Sequence, residues 1–326
     1  MKIVISDMLG FEEEHDAWIY EAAGDDTVVF PEGDEELLAE LPDAEVFFGY
    51  HSPEVFSVAT NLKWMQTTSA GLDMMLTPEV RAMGLQVTNA SGLHAAPVVE
   101  TAWALTLAVS RYLKHFGQCQ RDHVWDQFTP YDLNHRTAGV IGLGGIGRRY
   151  AKIAAAFGMR VIAVDKHVSE KPEEVEELWP LERLNDLCAE ADVVMIACPA
   201  TSETQGLIGA EQLALMKPTG IIINIARGGI IDEPALIECL NAGRIAGAGL
   251  DVTRIEPLPD DDPLWDTPRL VITPHIAGWS SDRSRSVVRF FCDNLRRYKA
   301  GEPLENLVDQ QQGYPVPVSG AAAGGV

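Results

Sequence analysis

The most constraining feature of the sequence is a glycine-rich segment between an apolar run and an amphipathic stretch. The run covers 138–141, and Gly142-Leu143-Gly144-Gly145-Ile146-Gly147 follows it directly. In such a strand–loop–helix unit, the first glycine permits a tight turn and the second lets a pyrophosphate approach the backbone. The third lets helix and strand pack closely, and the helix N-terminus faces the negative charge. The segment therefore predicts a dinucleotide-binding site.

An acidic residue at the end of the next apolar run supports this prediction. Asp165 lies 18 residues beyond Gly147, where a carboxylate accepts hydrogen bonds from the adenosine ribose hydroxyls. Asp165 favours NAD because it repels a 2′-phosphate. Lys166 and His167 follow at once and attract such a phosphate if Asp165 turns away. The expected cofactor is therefore NAD or NADP, with NAD favoured and dual use open.

Apolar runs along the chain predict an α/β protein with two Rossmann-like or flavodoxin-like domains, each with a parallel sheet, separated by a cleft. In the first hundred residues, short runs alternate with helical or turn segments, as in a small parallel sheet. Later runs are continuous, which is typical of a sheet buried on both faces. The runs are 3–5, 46–48, 64–67, 85–87, 138–141, 160–164, 193–197, 221–225, 246–250 and 270–273.

Apolar spacing predicts three long helices. The first begins at Pro97 and connects the domains, with one face formed by Val98, Ala102, Leu105, Val109 and Leu113. The second follows the glycine loop and stops at Gly158, with Ile146, Tyr150, Ile153 and Phe157 on its apolar face. The third runs from Asp282 to Tyr298 and returns the chain to the first domain. Segment 313–326 is expected to be a tail with no chemistry.

Composition and charge exclude several classes of function. The length of 326 residues predicts two domains. A net charge of −23 argues against a nucleic-acid partner, so local positive groups must hold an anionic substrate. No run approaches the ~18 apolar residues of a membrane span, and the start lacks the features of a signal peptide, so we expect no membrane partner and a cytoplasmic protein.

The acidic charge and the cysteines give two further expectations. Acidic runs at 12–14, 34–36 and 260–262 fit a halophilic cytosol, where salt screens repulsion; an ordinary acidic protein is the alternative. Five widely spread cysteines without a Cys-x-x-Cys pair indicate neither a disulfide framework nor a zinc knuckle. We expect them to be reduced and mostly buried.

Reactive side chains follow the later runs, where ligands bind at the carboxyl ends of parallel strands. The planar guanidinium of Arg227 can hold a carboxylate and polarise an adjacent carbonyl. His275 can give a proton to an alkoxide or take one from an alcohol. Glu256 can hold one tautomer of that imidazole. Taken singly, each is more readily explained as a surface or loop residue; together, at strand ends of a dinucleotide fold, they predict hydride transfer to a 2-keto acid.

These residues carry a resemblance to the D-isomer-specific 2-hydroxyacid dehydrogenase family, across most of residues 95–285. It implies Arg227, Glu256 and His275 as the catalytic residues of the interconversion of a small 2-keto acid and its D-2-hydroxy acid. It also implies a homodimer, with a substrate-binding domain of residues 1–98 and 284–326 and a dinucleotide-binding domain of residues 99–283. Besides the glycine loop, the matching segments are 198–201, 216–218, 224–229, 249–252 and 273–278.

The resemblance also implies binding residues. Ser69-Ala70-Gly71-Leu72-Asp73 resembles the family loop whose amides hold the substrate carboxylate, so Ala70 and Gly71 join Arg227 as substrate-binding residues. His94, where many members carry Asn, is interpreted as structural, with a role near the cleft left open. The expected cofactor-binding residues are Thr101, Gly142, Gly144, Gly145, Ile146, Gly147, Asp165, Lys166, His167, Cys198, Pro199, Thr204, Ile225, Ala226, Arg227, Asp251, His275 and Gly278. No resident metal is expected.

Three alternative functions stay in view. A dinucleotide-sensing binding module, as in the related corepressors, would keep the fold, but the intact Arg, Glu and His favour an enzyme. Formate dehydrogenases, which resemble this family, carry Gln before the histidine, where this chain has Pro274. Phosphoglycerate dehydrogenase is possible, although the chain offers no room for the regulatory domain that many of those enzymes carry. The sequence does not identify the keto acid.

Overall fold

The computed structural model describes residues 1–6, 9–72, 74–168, 170–311 and 313–315. The chain divides into two compact units, one of Met1–His94 together with the chain from Ser280 onward, and one of Ala95–Trp279. The boundaries expected from the sequence, after residues 98 and 283, each lie four residues further along the chain. The expected tail beyond residue 315 lies outside the described residues, as does Asp73 of the expected carboxylate loop.

Fourteen strands and ten helices are found in the described residues. The strands are β1 Lys2–Ile5, β2 Thr27–Val29, β3 Val46–Gly49, β4 Trp64–Thr67, β5 Gln86–Thr88, β6 Thr137–Ile141, β7 Arg160–Val164, β8 Glu177–Trp179, β9 Val193–Ile196, β10 Ile221–Asn224, β11 Gly247–Leu250, β12 Leu270–Ile272, β13 Val308–Asp309 and β14 Tyr314–Pro315. The helices are α1 Glu13–Ala23, α2 Asp34–Glu40, α3 Pro78–Ala82, α4 Ala95–Ser110, α5 Leu113–Asp122, α6 Gly145–Ala156, α7 Leu184–Glu190, α8 Ala210–Leu215, α9 Glu233–Asn241 and α10 Arg283–Ala300.

The first unit contains a five-stranded parallel sheet in the order β2-β1-β3-β4-β5. This is the flavodoxin-like order of a doubly wound sheet. Helix α10 packs on this unit, where the ring of Phe291 stacks on Phe48 at 4.1 Å between centroids. The expected runs omit β2, a short and only partly buried edge strand, although Val28, Val29 and Phe30 form an apolar run.

The second unit contains a seven-stranded parallel sheet in the order β12-β11-β10-β9-β6-β7-β8. The six apolar runs expected here are confirmed as strands. Successive residues enter opposite cores: Ile221 and Ile223 pack on one face of the sheet, and Ile222 packs on the other. Burial on both faces therefore explains the continuous apolar runs. The strand order reverses between β6 and β9, and ligands of such sheets bind at that point.

The structure corrects two details of the expected helices. The first does not reach Leu113, because α4 ends at Ser110 and Tyr112 adopts a left-handed backbone with φ 57°. Leu113 instead begins α5 and is 55% exposed. Phe157 follows the last residue of α6 and is 41% exposed, with its ring stacked on Trp103 at 4.7 Å. The buried residues of α6 are Gly147, Tyr150, Ala151 and Ala154.

The described residues contain no helix both long and apolar enough to cross a bilayer.

Close packing requires glycine at two of the four glycine positions of the glycine loop. Gly142 has φ +94°, and a Cβ there would lie 2.6 Å from the backbone nitrogen of Cys198. A Cβ on Gly147 would lie 2.0 Å from the carbonyl oxygen of Gly142. In contrast, a Cβ on Gly144 or Gly145 would meet no atom within 4 Å. Gly142 and Gly147 are therefore required by the fold, whereas Gly144 and Gly145 leave open space at the helix N-terminus.

We expect Gly147→Ala to destabilise the protein by about 1–3 kcal/mol, because the methyl group would overlap a backbone oxygen that cannot move cheaply. The matched control is Gly145→Ala, which places a methyl group in open space in the same helix. Since alanine favours helix over glycine by about 1 kcal/mol, this control should leave stability unchanged or raise it. Denaturant unfolding of the two variants measures the difference. Equal stabilities would contradict the packing role of Gly147.

Candidate active site

A histidine–glutamate pair lies beyond the carboxyl ends of β11 and β12. His275 Nδ1 and Glu256 Oε2 are 2.6 Å apart, and the other oxygen of Glu256 accepts a hydrogen bond from the Thr253 backbone N–H at 2.9 Å. The two side chains are 45% and 35% exposed, so a ligand can reach them. Because Nδ1 is engaged by the carboxylate, Nε2 is the ring nitrogen that can exchange a proton with a ligand.

The loop that carries His275 is held by the buried carboxylate of Asp251. One oxygen accepts hydrogen bonds from the Thr273 hydroxyl at 2.6 Å and the Ile276 N–H at 3.1 Å, and the other accepts from the Ala277 N–H at 3.0 Å. The backbone N–H of His275 also donates to the Asp251 carbonyl at 2.7 Å. This network fixes the left-handed backbone of His275, which has φ 53°.

Arg227 lies in the loop after β10, and an asparagine shapes this loop. Asn224 accepts a hydrogen bond from the Ala226 N–H at 3.0 Å and donates one to the Arg227 carbonyl at 2.9 Å. The Arg227 guanidinium also donates to the Ala226 carbonyl at 2.8 Å and is only partly buried. These contacts orient the arginine and leave it accessible to an anionic ligand.

Close backbone packing brings the Arg227 loop to the histidine–glutamate pair. A Cβ on Gly228 would lie 2.0 Å from the carbonyl carbon of Thr253, so the two loops touch directly at this point. Thr253 is the residue whose N–H donates to Glu256. Arg227, Glu256 and His275, which the sequence identifies separately, therefore lie on adjoining loops at one edge of the second-unit sheet.

The acid at the end of β7 binds the backbone of its neighbours. Asp165 Oδ2 accepts a hydrogen bond from the Leu143 N–H of the glycine loop at 2.7 Å. Its Oδ1 accepts from the N–H groups of His167 at 2.7 Å and Val168 at 2.9 Å. The ammonium group of Lys166 pairs with Glu203 at 2.5 Å. Asp165 thus ties the glycine loop to β7, and the Lys166 charge is partly offset by an acid.

The remaining expected cofactor residues lie around the glycine loop or on the loops after β9, β10 and β12, except Thr101 on α4. Thr204 is buried, donates to the Pro199 carbonyl at 2.7 Å and accepts from the Thr201 N–H at 2.8 Å. Burial raises the pKa of the Cys198 thiol to about 12, so this cysteine stays protonated. Neither residue has the character of an activated nucleophile. Ile225 is 7% exposed, whereas Ala226 and Gly278 are half-buried.

The expected carboxylate loop of the first unit is held by hydrogen bonds to its carbonyl oxygens. Thr67 donates to the Ser69 carbonyl at 2.9 Å, Asn89 donates to the Ala70 carbonyl at 2.6 Å, and Ser69 donates to the Gly71 carbonyl at 2.8 Å. Ala70 itself is exposed. The side chains of Thr67, Ser69 and Asn89 therefore fix the conformation of this loop.

His94 lies under the same loop. Its Nε2 is 3.3 Å from the Thr68 carbonyl oxygen, and the residue is 8% exposed. Burial lowers the pKa of the His94 imidazole below its ordinary value, and the nearby charge of Arg283 acts in the same direction. A buried imidazole that resists protonation supports the structural interpretation of this residue.

The sequence missed residues that position the reactive groups. Asn224 and Thr273 are polar side chains at strand ends, which is the signal that could have identified them. Neither is ionisable at neutral pH, so neither is an evident candidate for catalysis. The five cysteines are free and buried, as expected.

Comparison with known proteins places the chain among the dehydrogenases that it resembles. The profile of the D-isomer specific 2-hydroxyacid dehydrogenase, NAD binding domain, matches residues 103–277. A glyoxylate reductase from Korarchaeum cryptofilum is 36% identical over 269 residues, covering 79% of each chain. A D-3-phosphoglycerate dehydrogenase from Methanocaldococcus jannaschii is 34% identical over 318 residues, covering 95% of this chain but only 59% of that relative.

The fold is also similar to a solved structure. An NADPH-dependent glyoxylate/hydroxypyruvate reductase from Sinorhizobium meliloti, in complex with NADP and sulfate, matches with a TM-score of 0.83. The two chains are 26% identical, and the match covers 96% of this chain and 99% of that one. This match extends through both units and is not limited to the dinucleotide-binding sheet.

Replacing Asp251 with Asn should destabilise the protein by about 1–3 kcal/mol, because the new NH₂ group must face a hydroxyl or amide donor. Thr273→Val is the control: it removes one donor and keeps both amide hydrogen bonds to Asp251, so its cost should be about 1 kcal/mol or less. Denaturant unfolding and hydrogen exchange at the Ile276 and Ala277 amides measure the effect. Unchanged amide protection in Asp251→Asn would contradict the organising role of this carboxylate.

Proposed function

The chain belongs to the D-isomer-specific 2-hydroxyacid dehydrogenase family, and from the geometry of its strand ends we propose that it reversibly reduces a small 2-keto acid to the D-2-hydroxy acid. As a member of this family it is an NAD(P)-dependent oxidoreductase. The observation that carries the proposal is the 2.6 Å contact between His275 and Glu256, beside the Arg227 loop at the edge of a dinucleotide-binding sheet.

In the proposed mechanism Arg227 binds the substrate. Its guanidinium donates hydrogen bonds to the carboxylate and to the keto oxygen, which makes the carbonyl carbon more electrophilic. We also propose that the loop at Ala70 and Gly71 donates backbone amides to the carboxylate. The hydrogen bonds that fix the carbonyl groups of this loop support that assignment, since they hold the peptide planes in place.

His275 is the proposed acid in reduction and the base in oxidation. Glu256 holds Nδ1, so the proton moves between Nε2 and the substrate oxygen. The carboxylate stabilises the imidazolium that exists before reduction and after oxidation. Asp251 positions the histidine by binding the amides that follow it. We propose that Asp251 both contacts the cofactor and positions His275.

The open space at Gly144 and Gly145 and the exposed N-terminus of α6 fit a pyrophosphate. When bound, the dinucleotide supplies or accepts the hydride. The other expected cofactor-binding residues are proposed to line its path across the carboxyl ends of the strands, from Asp165 to Gly278. Cys198, Pro199, Ile225, Ala226 and Gly278 among them present small or apolar side chains, which suits a flat nicotinamide ring.

We propose that NAD is favoured over NADP. Asp165 lies at the end of β7, and the lone pairs that the three amides do not use can accept hydrogen bonds from ribose hydroxyls. Lys166, the group best placed to attract a 2′-phosphate, is paired with Glu203. The Lys166 ammonium lowers the pKa of the Glu203 carboxyl, so this acid is ionised at neutral pH and opposes a phosphate.

The proposal extends to assembly and environment. A homodimer is supported by large apolar side chains exposed in the region of α5, since such patches mark interaction surfaces. A cytosol of high ionic strength is supported by the net charge of −23, whose repulsion salt would screen. The exposed large apolar residues of this region are Leu113 at 55%, Val124 at 55%, Trp125 at 88% and Phe128 at 41%.

We expect His275→Asn to lower kcat/KM for keto-acid reduction by about 10²–10⁴-fold, the usual contribution of a general acid, while NADH binding is retained. His123→Asn is the matched control, because His123 is also exposed and has a similar left-handed backbone with φ 56°. Asn tolerates this conformation at both positions. NADH oxidation is measured in high salt with glyoxylate, pyruvate, hydroxypyruvate and longer aliphatic keto acids. Near-normal rates in His275→Asn would refute the mechanism.

We expect NADH to bind more tightly than NADPH, and Glu203→Gln to narrow that difference. Removing this acid from Lys166 should tighten NADPH binding about two- to fivefold, the scale of an exposed ion pair, and leave NADH binding unchanged. Glu182→Gln changes the net charge equally and is the control. Fluorescence titration gives the dissociation constants. Tighter NADPH binding in the wild-type protein, or an equal effect on both cofactors in Glu203→Gln, would count against the assignment.

A further inference from the structure

Three metal-ligand side chains converge on α5 and the segment after it, apart from the proposed catalytic residues. His115 and Cys119 are one turn apart on the helix, and Asp126 lies beyond its C-terminus. One donor atom from each side chain lies within 4.8 Å of the other two. From this geometry we propose that His115, Cys119 and Asp126 bind one divalent transition-metal ion of the Zn²⁺ class.

The donor atoms are close enough together for small side-chain movements to accommodate a tetrahedral ion. His115 Nε2 is 2.8 Å from Asp126 Oδ2 and 3.3 Å from Cys119 Sγ. Around zinc, with bonds of about 2.0–2.3 Å, ligand atoms lie roughly 3–4 Å apart, so small side-chain adjustments complete the geometry. Imidazole nitrogen, thiolate and carboxylate together select zinc-like ions over magnesium or calcium, which prefer oxygen ligands alone.

Hydrogen bonding alone accounts poorly for the cluster. A ring nitrogen carries either one proton or one lone pair, yet both Cys119 and Asp126 approach the same nitrogen of His115. Only one of these contacts can be a normal hydrogen bond. A metal ion accepts all three ligands at once, and the strongly negative chain raises the local concentration of cations.

Aromatic packing holds the three ligands together. Phe128, two residues after Asp126, stacks on Phe116 of α5 at 5.2 Å and lies 5.6 Å from the His115 ring. Cys119 is buried at 9% exposure, whereas the His115 and Asp126 side chains are 45% and 44% exposed. The thiol is thus shielded, whereas the other side of the cluster is exposed in the single chain, so an ion can enter before two chains associate. The ion would fix the segment that carries Trp125.

The test is a Co²⁺ titration of the reduced, chelator-treated full-length protein. We expect a near-ultraviolet cobalt–thiolate absorption band that saturates at one ion per chain and is displaced by Zn²⁺. Cys119→Ser should abolish the band. Asp126→Asn should weaken Co²⁺ binding at least about tenfold, since even outer-shell partners of a metal contribute that much. Circular dichroism checks that each variant is folded, and the exposed Asp126 can be changed without disturbing a core.

Asp122→Asn is the matched control, because Asp122 lies on the same helix and its carboxylate binds Gln118 at 2.8 Å instead of the cluster. Its Co²⁺ affinity should equal that of the wild-type protein. Three results would overturn the proposal: no thiolate band at saturating Co²⁺, a band that survives in Cys119→Ser, or equal weakening by Asp126→Asn and Asp122→Asn. The last result would show cation binding by the acidic surface only. None of these readouts depends on dehydrogenase activity.

Discussion

The parallel register of the seven-stranded sheet is the constraint on which the proposed site depends. Hydrogen-bonded neighbours align Val164 with Ile141, Ile141 with Ile196, Ile196 with Asn224, Asn224 with Leu250, and Leu250 with Ile272. The residues that follow these positions therefore emerge in one row, although they are distant in sequence. The row includes Gly142, Asp165, Asp251 and Thr273, so the residues proposed for cofactor binding and those that hold the His275 loop share one edge. A slip of one strand would move its loop by one residue and separate these groups.

Two acids in that row fix the conformation of the backbone around them, in addition to their proposed contacts with the cofactor. Asp165 binds three amides in the glycine loop and its own turn, and Asp251 binds two amides and a hydroxyl in the His275 loop. Charge-assisted hydrogen bonds to backbone N–H groups are among the stronger contacts in proteins, so each acid converts an irregular loop into a rigid one. Replacing either acid should therefore disturb the shape of its loop as well as any contact with the cofactor.

Much of the second unit could be predicted from the sequence because its signals are local. Its six main strands are continuous apolar runs. The spacing of glycines in the glycine loop predicts a tight turn and a close helix–strand contact, and Gly142 has a positive φ while Gly147 packs against backbone as this requires. The expected runs omit the edge strands β2 and β8: β8 has only two apolar residues, and β2 has no fully buried position. The roles of Asn224 and Thr273 depend on which strands are neighbours, and the sequence does not record this directly.

The cluster of His115, Cys119 and Asp126 also could not be predicted from the sequence, because it too depends on the path of the chain. A search for Cys-x-x-Cys pairs finds nothing near Cys119, because its partners are a histidine one turn earlier and an aspartate in the following segment. The chain reverses direction after His123: the Val124 N–H donates to the Cys119 carbonyl at 2.9 Å, and Phe128 packs on the helix. This reversal brings Asp126 close to His115. Ligands of mixed type on a helix and its following segment become recognisable once the chain reversal is known. Ligands that a chain reversal brings together can therefore be recognised only after the fold is known.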